Sequence, residues 1–176
     1  MKKWRKISEK TVRINRFRTM VKVRYELPNG RRDSFYLNNS GRIVCALVVT
    51  KDKQVVLAQQ YRPGPDRVFL ELPGGKIEAG ETPKQAVARE ILEETGYRGN
   101  AHFIVATNDD AWSRKIRYHF VITDAVKVAE PHPDELENCR VRLMPLNKLR
   151  QHLRSGRLTD VETGYLALDY LKLLSG

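Results

Sequence analysis

Residues 75–97 constrain the fold of this chain more than any other stretch, because they carry signals for both ends of a helix. Thr82 is a favourable N-cap, Pro83 suits the first helical position, and Gln85 completes a T-x-x-Q capping box. Gly96 ends the pattern as a residue at the C′ position does. The stretch therefore predicts a glycine turn followed by a capped helix.

The predicted helix has an apolar face and, beside it, an acidic sector. With about 3.6 residues per turn, the apolar face consists of Val87, Ala88, Ile91 and Leu92. The acidic sector consists of Glu90, Glu93 and Glu94. Carboxylates spaced three and four residues apart repel one another by roughly a few tenths of a kcal/mol per pair. Interleaved lysines would serve solubility better, so the crowding indicates a site for a hard cation and an anionic substrate.

The spacing of these residues resembles the Nudix box, G-x5-E-x7-R-E-U-x-E-E-x-G-U, in which U is an apolar residue. The matching positions are Gly75, Glu81, Arg89, Glu90, Ile91, Glu93, Glu94, Gly96 and Tyr97. All the fixed letters are present, and chance would produce them on the order of once in 10⁸ starting positions. The order of the predicted strands and helices indicates class α+β, and the resemblance implies a Nudix-type α/β/α sandwich with a mixed β-sheet. A β-rich N-terminal segment precedes it. The resemblance also implies a hydrolase acting on phosphoric anhydrides.

Oxygen ligands on one helix face suit Mg²⁺ or Mn²⁺. The candidate ligands are the carboxylates of Glu90, Glu93 and Glu94, the carbonyl of Gly74, which the resemblance supplies, and Glu81 as a weaker ligand or a supporting residue. A divalent ion that bridges two phosphates neutralises charge and activates a water molecule. Arg89, four residues before Glu93, is expected to fix a carboxylate rotamer. Glu93, Glu94 and Arg89 are therefore predicted catalytic residues.

A second resemblance narrows the branch of the family. The letters Q-Y-R-P from Gln60 and E-L-P-G-G from Glu71 are similar to a pattern of ADP-ribose and nucleotide-sugar pyrophosphatases. This likeness covers residues 40–175. It implies that Arg62 contacts the diphosphate, that Glu71 lies near the nucleotide, and that Glu135, in the late acidic loop, is a general base or positions the water.

One segment departs from that branch. The ADP-ribose subgroup has an S-P-G-like turn soon after the box, whereas this chain has D-D-A-W-S-R from Asp109. ADP-ribose itself therefore stays an open choice among nucleotide-sugar substrates. Trp112 in this segment is a candidate for substrate binding by stacking on a base or sugar, and its alternative role is to cap the core.

The net charge of +11 is concentrated near the N-terminus. Residues 1–32 contain twelve Lys and Arg but only two acids, and the rest of the chain is almost neutral. This distribution argues against a uniformly basic nucleic-acid-binding protein. A basic N-terminal arm remains, which could contact RNA, attract a polyanionic small molecule, or serve as a solvated charged hairpin that protects a sheet edge.

Residues 1–40 read as a β-rich basic segment, and residues 41–176 as the Nudix hydrolase domain. Strands are expected around Val12, Ile14 and Phe17, from Met20 to Tyr25, and from Phe35, with Asn29-Gly30 as a hairpin turn. In the remainder, strands are predicted at 43–49, 54–60, 68–72, 102–106, 116–122 and 139–144, and helices at 146–154 and 159–174, the last with a T-x-x-E capping box. The segment is too thin to fold alone, and the resemblance implies a homodimer in which N-terminal strands exchange.

Composition sets further expectations. No apolar run approaches the length of about 18 residues that a spanning helix needs, and no apolar stretch follows the N-terminal charges as in a secretory signal. Cys45 and Cys139 lie in apolar contexts and are expected to be reduced, buried thiols. We therefore expect a cytoplasmic protein that does not bind membranes.

Together these features predict a Mg²⁺-dependent Nudix pyrophosphatase. It would hydrolyse the diphosphate bond of nucleoside diphosphate derivatives, of the NDP-sugar or ADP-ribose type, to a nucleoside monophosphate and a phosphorylated product. Two alternatives stay open: an RNA 5′-end pyrophosphohydrolase, which only the basic arm supports, and a non-catalytic nucleotide-sensing module. The intact R-E-x-x-E-E set speaks against the sensing module.

Overall fold

The computed structural model describes residues 1–15, 17–132 and 139–174. The chain forms two compact units. The first consists of Met1–Arg42 and Thr107–Arg117, and the second of Ile43–Ala106 and Tyr118–Gly176. The first unit thus includes residues 107–117, which the predicted boundary at residue 41 assigns to the hydrolase domain.

The first unit contains a three-stranded antiparallel sheet with strand order β1-β2-β3. Its strands are β1 (Arg5–Arg13), β2 (Thr19–Glu26) and β3 (Arg32–Asn38). The predicted hairpin between β2 and β3 is confirmed, and Gly30 has the positive φ of 81° that favours glycine in such a turn. At the end of β3, the Asn38 N–H donates to the Trp112 carbonyl (2.9 Å) and the Asn38 carbonyl accepts from the Arg114 N–H (2.7 Å). These bonds fix residues 107–117 in this unit.

The predicted position of the first strand was wrong. Alternating apolar residues suggested a strand through Ile14 and Phe17, but β1 ends at Arg13 and both side chains are more than half exposed. The Asn15 carboxamide oxygen accepts hydrogen bonds from the N–H groups of Phe17 (2.9 Å) and Arg18 (2.8 Å). Because an asparagine side chain can replace a backbone acceptor in this way, it favours a turn over a continued strand.

The second unit is built on a larger sheet with strand order β6-β5-β4-β8-β7, and β9 pairs with β5. The strands are β4 (Arg42–Thr50), β5 (Gln54–Arg62), β6 (Arg67–Glu71), β7 (Tyr97–Asn108), β8 (Ile116–Lys127) and β9 (Arg140–Pro145). The helices are α1 (Pro83–Thr95), α2 (Leu146–Leu153) and α3 (Val161–Tyr170). Each predicted element is present, but β7 and β8 are longer than the sequence suggests and α3 is shorter.

Strand β4 explains how the helices are layered on this sheet. Its side chains alternate between two hydrophobic clusters, as the two-residue period of a strand requires. One cluster contains Cys45, Leu47 and Val49 with residues of α2 and α3, and the other contains Val44, Ala46 and Val48 with residues of α1. The continuous apolar run of β4 is therefore buried on both faces, between two helical layers.

Helix α1 has the predicted caps. The Thr82 hydroxyl accepts from the Gln85 N–H, the Gln85 side chain accepts from the Thr82 N–H, and Gly96 is left-handed with φ of 73°. The apolar face was partly wrong, because Ala88 is exposed and Ala86 is buried in its place. Glu94 also belongs to the buried face, so an acidic residue of the box points into the protein.

The start of α3 differs from the prediction. The helix begins at Val161, and its N-cap residue Asp160 makes no capping hydrogen bond through its side chain. The Thr159 hydroxyl, predicted to cap the helix, donates to a carboxylate oxygen of Glu71 instead (2.6 Å). This charge-assisted bond to a buried carboxylate fixes the Thr159 side chain, and the helix begins one residue later with Asp160 as its N-cap.

The remaining global expectations concern membranes and thiols. None of the helices in the described residues is long and apolar enough to cross a membrane. Cys45 is buried, Cys139 is partly buried, and neither is in a disulfide.

Candidate active site

Arg89 on α1 connects three glutamates. Its Nε and Nη2 donate to the two carboxylate oxygens of Glu81 (2.8 and 3.0 Å), so this pair is bidentate. Its Nη1 donates to Glu90 and to Glu93, both at 3.0 Å, and Nη2 also donates to the Lys76 carbonyl (2.9 Å). The predicted contact between Arg89 and Glu93 is present. The repulsion that the sequence suggested is thus relieved by one shared guanidinium.

The ion pairs of this cluster change its acidity. Arg89, together with the backbone N–H of Glu78, lowers the pKa of Glu81 from 4.5 to about 2. The same contact with Glu81, supported by Glu90 and Glu93, raises the pKa of Arg89. Charge-assisted hydrogen bonds stabilise both ionised forms. The guanidinium and the Glu81 carboxylate are therefore charged at neutral pH.

The glycine turn ahead of α1 lies against two of the box glutamates. The Gly74 N–H donates to the Glu94 carboxylate (3.0 Å), whose side chain is almost completely buried. A Cβ atom on Gly75 would lie 2.4 Å from the Glu90 carboxylate, and one on Gly74 would lie 2.3 Å from the Val44 carbonyl. Only glycine fits at Gly74, where the colliding atoms are backbone, whereas a side chain at Gly75 would displace the Glu90 carboxylate. The turn is therefore in close contact with β4 on one side and with the acidic face of α1 on the other.

The candidate metal ligands form two contact groups, Gly74 with Glu94, and Glu90 with Glu93 through Arg89. The carboxylate oxygens of the glutamates are the donors that Mg²⁺ and Mn²⁺ prefer, and the Glu90 carboxylate lies directly against Gly75. Where the structure describes the chain, no group of three or more His, Cys, Asp or Glu side chains has the arrangement of a metal site. The metal assignment therefore stays a prediction.

Arg62 and Glu71, two predicted substrate-binding residues, form a salt bridge. Glu71 is completely buried and accepts from Arg62 Nε, from the Thr159 N–H (3.2 Å) and from the Thr159 hydroxyl (2.6 Å). The Arg62 side chain stays 37% exposed. Glu71 therefore holds Arg62 in place while part of the guanidinium faces solvent.

The role of Thr159 was missed in the sequence. Its position before a helix favoured a capping role, and no local signal pointed to Glu71, 88 residues earlier in the chain. The neighbouring segment is also fixed to β6, because the Leu70 N–H donates to the Arg157 carbonyl (3.2 Å). Such a contact depends on tertiary structure and cannot be found from spacing.

The two other predicted site residues are not part of these clusters. Trp112 belongs to the first unit, where it stacks on Phe35 with ring centroids 5.4 Å apart, and it remains 54% exposed. It does not cap a closed core, and its substrate role stays a prediction. Glu135 lies outside the described residues.

Comparison with known families decides the identity of the fold. A NUDIX domain model matches residues 39–163, which is most of the chain. The chain belongs to the Nudix family. The glutamates around Arg89 are thus the box residues of a Nudix domain.

Among Nudix relatives, the chain is 28% identical over 151 residues to the ADP-ribose pyrophosphatase of Bacillus subtilis, which covers 84% of this chain and 81% of the relative. It is also 28% identical over 169 residues to the CMP-5'-(N-acetyl-N-hydroxy-3-aminopropyl)phosphonate hydrolase of Streptomyces rubellomurinus, covering 94% and 82%. A solved structure described as an ADP compounds hydrolase superposes with a TM-score of 0.83 at 22% identity, covering 98% of this chain and 96% of the other.

These comparisons confirm three predictions. The Nudix resemblance and its pyrophosphatase branch are correct, and the fold is the predicted α+β sandwich with a mixed sheet. The predicted class, a hydrolase acting on phosphoric anhydrides, agrees with the relatives, which are named as a pyrophosphatase and hydrolases. Their names differ in the nucleotide, so the substrate of this Nudix protein needs a separate argument.

Proposed function

We propose that this Nudix protein is a Mg²⁺- or Mn²⁺-dependent pyrophosphatase. It hydrolyses the diphosphate bond of nucleoside diphosphate derivatives, of the ADP-ribose or NDP-sugar type, to a nucleoside monophosphate and a phosphorylated product. The observation that carries the proposal is the cluster in which Arg89 binds three glutamates beside the glycine turn. The relative from Bacillus subtilis, named for ADP-ribose, supports the substrate type.

The box residues would hold the divalent ion. Glu90, Glu93 and Glu94 supply carboxylate oxygens, and Gly74 supplies its carbonyl. When bound, the ion neutralises phosphate charge and activates a water molecule. Arg89 is a positioning residue, because its contacts with Glu90 and Glu93 set the orientation of both carboxylates (3.0 Å each).

Arg62 would bind the diphosphate. Its Nε is engaged by Glu71, and among the described residues the other N–H groups of this guanidinium have no partner. An exposed arginine held by a buried carboxylate is suited to phosphate binding, because its planar fork is already oriented. Glu71 therefore acts through Arg62.

Three further parts of the proposal come from the sequence, and two of them, the role of Glu135 and the strand exchange, are implied by the resemblance. Glu135 serves as general base or positions the attacking water, and Trp112 stacks on the base or sugar of the substrate. The protein is a cytoplasmic homodimer in which N-terminal strands exchange. Light scattering after size-exclusion chromatography tests the dimer, and a monomer that retains full turnover would contradict it.

A substrate panel tests the proposed activity. Values of kcat/KM are measured with Mg²⁺ for ADP-ribose, GDP-mannose, UDP-glucose, deoxynucleoside triphosphates and 5′-triphosphate RNA. We expect one of the nucleoside diphosphate derivatives to be the best substrate. A wide preference for RNA would favour the RNA 5′-end pyrophosphohydrolase, and no hydrolysis of any compound would favour the sensing module.

A further inference from the structure

The outer face of the three-stranded sheet carries cations on its central strand. Strands β1, β2 and β3 place Lys10 opposite Lys22, and Lys22 opposite Tyr36. The next row along the sheet places Ser8 opposite Arg24, and Arg24 opposite Ser34. Lys22 and Arg24 are two residues apart on β2, so both rows lie on the same face.

This face is not built to protect a sheet edge. Charges that prevent edge-to-edge pairing belong on edge strands, whereas Lys22 and Arg24 lie on β2, between β1 and β3. Like charges directly opposite each other, such as Lys10 and Lys22, destabilise a strand pair. The repulsion between Lys10 and Lys22 therefore lowers the stability of the sheet, at a position where solubility does not require a charge.

Nearby acids do not offset these cations. Glu9 is bound by Arg114 and Lys6, Glu26 by Arg5 and Arg32, and Asp33 by Arg31. Within the parts of the chain that the structure describes, Lys10, Lys22 and Arg24 have no ion-pair partner. The three cations and the hydroxyls of Ser8 and Ser34 line a cavity of about 460 Å³, together with Arg32 and the ion-paired acids Glu9 and Asp33.

An aromatic ring completes the face. Tyr36 is 56% exposed, and Lys22 Nζ lies 5.6 Å from its ring centroid. Proteins that bind single-stranded nucleic acids combine cations that follow the phosphates with aromatic rings on which bases stack. A free polyphosphate or an acidic peptide would use the cations but would not need the ring.

We propose that this face, defined by Ser8, Lys10, Lys22, Arg24, Ser34 and Tyr36, binds single-stranded nucleic acid. Lys10, Lys22 and Arg24 contact successive phosphates, the serine hydroxyls donate to phosphate oxygens, and Tyr36 stacks on a base. The proposal does not depend on the hydrolase activity, because it concerns binding alone.

The experiment measures fluorescence anisotropy of a short labelled oligouridylate over a range of salt concentrations. In the triple variant K10Q/K22Q/R24Q, the slope of log Kobs against log salt should become shallower by about 2, since each phosphate contact on a single strand contributes about 0.7. A matched control, K51Q/R98Q/R154Q, removes three exposed cations of the second unit. We expect the control to keep the slope of the unaltered protein.

A second pair of variants tests the ring. Tyr36→Ala should weaken oligouridylate binding about tenfold, whereas Tyr36→Phe should not. Neither should alter competition by long-chain inorganic polyphosphate, which has no bases. Thermal unfolding checks the fold, and the midpoint of the triple variant should equal or exceed that of the unaltered protein.

Three outcomes would overturn the proposal. The control triple could lose as much of the slope as the face triple, which would indicate only the general field of a basic protein. Tyr36→Ala could bind the oligonucleotide as well as Tyr36→Phe does, which would leave polyphosphate or another polyanion as the ligand. The unaltered protein could also show no salt-dependent binding.

Discussion

The cluster around Arg89 and the cationic face of the three-stranded sheet both crowd like charges, but they treat the repulsion differently. Around Arg89 of α1, the carboxylates of Glu81, Glu90 and Glu93 share one guanidinium. On the sheet, Lys10 and Lys22 face each other while Glu9, the adjacent acid, pairs with other cations. In the first arrangement, a cation of the protein itself bridges the crowded charges. In the second, no described residue forms an ion pair with Lys10 or Lys22, and we propose that a ligand of opposite charge does so.

This difference shows that crowded charge alone does not identify a site. The acids of the box are held at fixed distances by Arg89 and the glycine turn, which suits them to bind a small ion with defined geometry. The cations of the sheet are exposed and follow one another along neighbouring strands, which suits a polymer with repeated phosphates. Variants that disrupt either the acidic cluster or the charges of the three-stranded sheet test this difference.

The largest effect is expected from the acidic cluster. Replacing both Glu93 and Glu94 by Gln should lower kcat for the best substrate about a thousandfold or more, on the scale of losing preorganised electrostatic stabilisation. Glutamine keeps an acceptor for the Gly74 N–H, so the fold should be retained. The control is a double Gln variant at the exposed residues Glu78 and Glu130. Turnover in the first variant equal to that of the control would disprove the metal assignment.

The second-largest effect is expected on the stability of variants in the two regions. Arg89→Met leaves three carboxylates without their shared partner, and we expect the free energy of unfolding to fall by about 2 kcal/mol, less than for a fully buried pair. Lys22→Met removes a like-charge contact and should change stability by no more than a few tenths of a kcal/mol, if anything upward. Chemical denaturation measures both. Equal losses of unfolding free energy in Arg89→Met and Lys22→Met would contradict the proposed difference between the two regions.

The smallest effect is a change in titration. Arg114 and Lys6 lower the pKa of Glu9 from 4.5 to about 2, so the stability that this carboxylate contributes is complete above pH 4.5 and is lost as the pH falls towards 2. In Arg114→Met the pKa of Glu9 should rise towards its ordinary value. Carbon-detected NMR titration of the carboxyl groups measures it, and Glu81, whose pKa is also lowered to about 2, should be unaffected. An equal rise in the pKa of Glu81 would contradict the view that Glu9 and Glu81 belong to independent ion-pair clusters.

Local signals predicted much of the second unit. The caps of α1, the apolar run of β4 and the box spacing act over a few residues, so their outcome did not depend on distant parts of the chain. The contact of Arg89 with Glu93 was predictable for the same reason, because the two residues are four apart on one helix.

Long-range contacts were not predictable. The bidentate pair of Arg89 with Glu81 requires the path of the loop before α1, and the bond of Thr159 to Glu71 joins residues 88 positions apart. The end of β1 was missed because the Asn15 side chain competes with strand pairing. In the first unit, the cationic face became visible only from the strand register, which a count of basic residues does not contain.

We propose that the box cluster supports metal-dependent cleavage between the two phosphates of a nucleoside diphosphate derivative. Phosphorus NMR of ADP-ribose incubated with the protein tests it most directly, with Mg²⁺ in one sample and excess chelator in the other. We expect two phosphomonoester signals, from AMP and ribose 5-phosphate, only in the sample with Mg²⁺. An unchanged diphosphate in both samples, together with release of pyrophosphate or phosphate from 5′-triphosphate RNA, would contradict it.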